Sequence, residues 1–189
     1  AHDANDAKYL FGGAPLILNR LLRDFIARKC PQLDAAAVMM LVRACNCAIE
    51  HNSYSKETKW LAAGTSAREL IRKASTIGGT NFDADVAIEI WEAVSAADKS
   101  QAMGAIGLVR TFEYTRERNR QFTREEVFYG VLHHAWEKLV IVIDIVPARH
   151  RESVMSWHVA LCEGIAWLLE CIEGFTPNNA DLRMRIKQA

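Results

Sequence analysis

The chain has 189 residues, half of them hydrophobic and a quarter charged, a balance that suits one folded domain rather than a disordered segment. Its 23 basic and 23 acidic side chains cancel, which excludes a global field drawing it to nucleic acid or an anionic membrane. No stretch approaches the roughly 18 apolar residues that mark a membrane span, so this segment is expected to make no membrane insertion.

Residues 1–13 open with polar positions (His2, Asp3, Asn5, Asp6) and read as a flexible N-terminal segment. Gly12, Gly13 and Pro15 mark a start. Leu18, Leu21, Leu22, Phe25 and Ile26 then recur at helical spacing until Pro31. Asp34 can cap a second helix, with Val38, Leu41, Val42, Cys45, Ala48 and Ile49 as one stripe. Asn52 to Ser55 is a turn, followed by a short helix through Trp60 and a break at Gly64. Ser66 with Glu69 fits a capping box for a helix that stops at Gly78-Gly79.

Asn81 to Ser95 predicts another helix, with Val86, Ala87, Ile90, Trp91 and Val94 inward and Asp85, Glu89 and Glu92 outward. From Asp98 a longer one is expected to run through Met103, Ile106 and Phe112 into an arginine-rich end. Thr123 with Glu126 is a second capping box. It opens a helix to Val146 with Phe128, Val131, Leu132, Ala135, Leu139, Val142 and Val146 on one side. The run Leu139–Val146 is β-branched, but no second run of its kind exists to pair with it, so helix is the better reading. Pro147 suits the first turn of the last helix, striped by Val154, Trp157, Leu161, Ile165, Leu168, Leu169 and Ile172.

The pattern therefore predicts an all-α fold. We expect a single helical-bundle domain of about six to eight helices over residues 14–176. The Thr123–Val146 and Pro147–Ile172 helices form its antiparallel C-terminal hairpin, and residues 177–189 a polar, basic tail. Five cysteines without framework spacing read as free thiols in a reducing, cytoplasmic setting. The chain starts at Ala1 with no hydrophobic signal, which suggests a soluble piece of a larger assembly, membrane-anchored or not.

Few residues could carry chemistry. Cys47 and His51 stand four apart on one helix, and His158 and Cys162 four apart on another, so each pair could offer two soft metal ligands. His133, Glu137 and Asp144 recur at steps of four and seven, a ridge suited to proton transfer or a hard cation, or simply to a solvated face. Arg151 and His158 stand seven apart on one helix face. They resemble the arginine–histidine motif of the HEPN ribonucleases, which are helical and dimeric. The resemblance covers those two residues, and implies a dimer cleft in which Arg151 and His158 handle the scissile phosphate of RNA.

Arg110, Arg116, Arg118, Arg120 and Arg124 interleave with Phe112, Tyr114 and Phe122, a composition that can hold phosphates and stack bases. Glu113 and Glu117 dilute the segment, and intrahelical ion pairs with Arg116 and Arg120 explain the same residues without a ligand. An acidic protein surface suits so modest a charge better than nucleic acid. Trp136 and Trp167 fall off the apolar stripes of their helices, so either they meet a partner or the C-terminal hairpin is central and enclosed on all sides. The expected function is non-enzymatic: a helical interaction module, without a cofactor, that binds a protein partner or itself. The alternatives are a helical enzyme, HEPN-like or metal-dependent, and a nucleic-acid-binding module using Arg110–Arg124.

Overall fold

The Asp34 carboxylate accepts the Ala37 N–H at 2.7 Å, so the sequence's own cap starts the helix that begins at Ala35. In the computed structural model, which describes residues 14–77 and 82–171, the local signals act in this way along the chain. The helices are α1 (Ala14–Lys29), α2 (Ala35–Glu50), α3 (Tyr54–Ala62), α4 (Ala67–Thr76), α5 (Ala84–Ser100), α6 (Gly104–Arg118), α7 (Arg124–His134), α8 (Val142–Ile145) and α9 (Ala148–Cys171). The fold is all-α, with no strand among the described residues. The expectations for residues 1–13, Gly78-Gly79, Asn81, Ile172 and the tail from 177 lie outside those residues.

Both capping boxes form. Ser66 and Glu69 exchange hydrogen bonds at the start of α4, and Thr123 and Glu126 do so at the start of α7. The Asp83 carboxylate accepts the Asp85 and Val86 N–H groups and starts α5. Gly64, at a φ of +71°, supplies the turn after α3.

The chain divides into two compact units after Ser95. In the first, α2 is buried on two sides rather than along one stripe. Val38 and Val42 pack with Ile26 of α1, while Ala44, Cys47 and Ala48 pack with Ala67 and Ile71 of α4 and Ala87, Ile88 and Trp91 of α5. Small side chains on the second side let those helices approach closely. The Trp91 indole donates to the His51 carbonyl at 3.1 Å, which ties α5 to the end of α2.

Helix α5 corrects the expected pattern. Val86 is exposed, whereas Glu92, expected outward, is 4% exposed. Ser95 and Lys99 are buried with it, so a polar row continues the Ile88–Trp91 stripe one and two turns on. The Arg68 guanidinium pairs with the Glu92 carboxylate, which offsets the cost of burying that charge.

The second unit has one core. Val127, Val131, Leu132, Ala135 and Leu139 pack against Leu161, Cys162, Ile165, Leu168 and Leu169 of α9, as the hairpin predicts. The expected continuous helix to Val146 does not form, however. Ala135–Leu139 winds as a π turn, with Val140 N–H donating to the Ala135 carbonyl at 2.9 Å, and α8 begins after a short break. The helix expected from Asp98 also breaks, at Gln101–Met103, because Gly104 turns the backbone to a φ of +64°.

Helix α6 completes this core. A Cβ on Gly104 would stand 3.2 Å from the Trp157 ring, and one on Gly164 would stand 2.6 Å from Leu108. Both contacts advance together along the two helices, so α6 and α9 run in the same direction. A Cβ on Gly130 would meet Thr115 at 2.7 Å, which sets α7 against the inward face of α6 as well.

Candidate functional site

The cysteine–histidine pairs form as helix neighbours and nothing more. Cys47 Sγ lies 3.7 Å from His51 Nδ1, but that nitrogen also sits 2.8 Å from the Cys47 carbonyl oxygen. The His51 ring rests against Trp60. Burial, with a smaller push from Glu50, raises the Cys47 thiol to about 11, so the thiolate a metal needs is disfavoured. In the second pair Cys162 Sγ lies 3.8 Å from His158 Nε2, and burial followed by Glu163 raises that thiol as well. No group of three or more His, Cys, Asp or Glu side chains suited to a metal ion occurs among the described residues.

The ridge His133–Glu137–Asp144 is split. His133 Nδ1 lies 3.3 Å from Glu137 Oε2, on the surface. The π turn adds a residue between Glu137 and Asp144, rotating the chain beyond it by roughly one helical step of about 100°. Asp144 instead acts on His158, whose proton affinity it partly restores.

Arg151 and His158 share one face of α9 but not one environment. The Arg151 guanidinium donates to the Asp144 and Val146 carbonyls at 3.2 and 3.4 Å, closing the C-terminal end of α8. His158 is 4% exposed, and its Nδ1 has no hydrogen-bond partner. Burial lowers its pKa. An exposed arginine engaged with backbone and a buried neutral imidazole do not front a common open cleft. That is weaker support for phosphate chemistry than the shared face alone suggested.

The arginine segment lies open. Arg110 reaches Gln101 at 3.4 Å, Arg118 donates to the Tyr114 hydroxyl at 2.7 Å and covers its ring, and Arg124 lies over Phe128. The aromatic interleaving is only partly available, because Phe112 and Phe128 pack on each other at a tilt of 52° against the core. Arg116 and Arg120 line an open depression of about 580 Å³ with Glu113 and Glu117. The expected intrahelical ion pairs do not form: none of these four side chains has an ion-pair partner among the described residues. Ile106 and Val109, both exposed, continue this face toward the start of α6.

The tryptophans separate. Trp167 is 63% exposed. Trp136 is half-buried against the core of the second unit, so it offers a partner only part of its ring. Trp157, expected in the core, is 45% exposed and lies over Gly104.

Sequence reasoning missed the buried polar row Glu92–Ser95–Lys99. Its signal was present, because steps of three and four from Ile88 and Trp91 lead straight onto it. No helix among the described residues is long and apolar enough to cross a membrane. Compared with protein-family models, curated proteins and solved structures, the chain matches none.

Proposed function

We propose that this chain is a non-enzymatic helical interaction module that engages another protein surface through the outer face of its C-terminal unit. Support comes chiefly from Trp167, a large indole that is left mostly exposed on α9. Arg116 and Arg120 on α6, which have no ion-pair partner among the described residues, add exposed charge of the kind that fixes register. Acidic side chains in the same depression favour a protein surface over a nucleic acid, whose phosphates reward charge of one sign.

The test compares the native chain with Trp167→Ala in partner capture followed by cross-linking, with circular dichroism as the control for fold. Loss of the associated protein with helicity retained supports the reading. Unchanged association in the variant refutes it.

A further inference from the structure

The outer face of α6 and the turn after it carry Glu113, Arg116, Glu117 and Arg120 around a single depression. All four are exposed, and none has an ion-pair partner among the described residues. Their order along the chain is acid, base, acid, base. Reversed, that order reads base, acid, base, acid, so the face is complementary to itself when turned end for end.

We propose that this face is the contact between two copies of the chain, related by a two-fold axis passing between Arg116 and Glu117. Antiparallel crossing about that axis sets Glu113 opposite Arg120 of the second copy and Arg116 opposite Glu117 of the second copy. The symmetry repeats both pairs, so each of the four charges meets its opposite. A nucleic acid or a uniformly acidic surface would leave Glu113 and Glu117 facing like charge. The second copy is the occupant this pattern fits.

Exposed ion pairs add little affinity by themselves and act mainly on orientation and register. The proposal rests on the interaction-module reading and names its partner.

Sedimentation equilibrium of the full chain at low salt, from about 10 to about 500 μM, tests it. The native chain is expected to dimerise reversibly, and more weakly as salt rises. Glu113→Arg with Glu117→Arg, and separately Arg116→Glu with Arg120→Glu, should each weaken self-association at least tenfold while leaving the helical spectrum unchanged. An equimolar mixture of the two variants should form a one-to-one heterodimer, because the reversed charges again oppose. A native chain that stays monomeric, a dimer indifferent to either reversal, or a mixture that does not pair overturns the proposal. If the native chain is monomeric but Trp167→Ala still abolishes capture of another protein, only the self-pairing falls and the module reading stands. If Trp167→Ala changes no association of any kind, the module reading falls instead.

Discussion

Trp157 lies over Gly104 so closely that a Cβ there would stand 3.2 Å from Cε3 of the indole. The same glycine holds a φ of +64°, which L side chains rarely adopt. Gly104→Ala should therefore destabilise the protein by about 1–3 kcal/mol, through backbone strain and displacement of the ring. Gly64→Ala is the comparison, since φ there is +71° but nothing lies within 4 Å of the added carbon. Thermal melting should show the larger loss at Gly104; equal losses would mean the Trp157 contact contributes nothing.

His158 makes stability depend on pH. Burial lowers its pKa from the ordinary value of 6.5, and Asp144 opposes that shift in part. The unfolded chain thus takes up the proton first as pH falls. Stability is full above about pH 6.5 and is lost as pH drops toward the lowered native value. His134, also lowered by burial, acts in the same sense. His158→Leu removes a buried nitrogen without a hydrogen-bond partner, so the variant should be at least as stable at neutral pH and show a shallower acid slope. Identical slopes in urea melts at about pH 5 and about pH 7.5 would exclude this role.

Two arginines on α4 should behave differently. Arg68 pairs with Glu92, whose side chain is nearly buried, whereas Arg72 pairs with Asp85 at 2.7 Å between two exposed groups. Arg68→Ala leaves a buried carboxylate without one of its partners and should cost about 1–3 kcal/mol, discounted because Arg68 itself is half-exposed. Arg72→Ala should cost less than about 0.5 kcal/mol. Denaturant midpoints of the two variants check the ordering, and a reversed order would contradict it.

Thiol chemistry offers a fourth measure. Burial raises the pKa of Cys45, Cys47 and Cys162. Site-resolved alkylation of the native protein at about pH 8 should modify these three slowly and all at comparable rates once the chain is unfolded. Rapid labelling of Cys47 in the native state would show that its side of α2 opens.

The Thr123–Glu126 box closes both ways at α7, with Glu126 N–H donating to Thr123 Oγ1 at 3.2 Å and Thr123 N–H donating to Glu126 at 2.7 Å. Thr123→Ala should cost about 1 kcal/mol. A melting temperature unchanged from the native chain would show that α7 needs no cap.

Features that depend on a few adjacent residues were legible in the sequence. Asp34, Ser66 and Thr123 each start a helix where a short side-chain oxygen can reach the backbone within one turn. The stripe from Val131 to Leu139 against Leu161 to Leu169 was legible too, because apolar spacing reports which side of a helix must be covered. Spacing does not report how many sides are covered, or where a helix changes pitch. Only packing placed Cys47 in the second buried side of α2, Glu92 beside Arg68, and His158 in the buried flank of α9. It also placed the π turn after His134, which parts Asp144 from His133 and Glu137. By itself the sequence determined that this chain is helical and where most helices start, since capping and periodicity are short-range. The tertiary structure alone decided which polar groups are enclosed and which indole is left in solvent, because burial depends on neighbours distant along the chain.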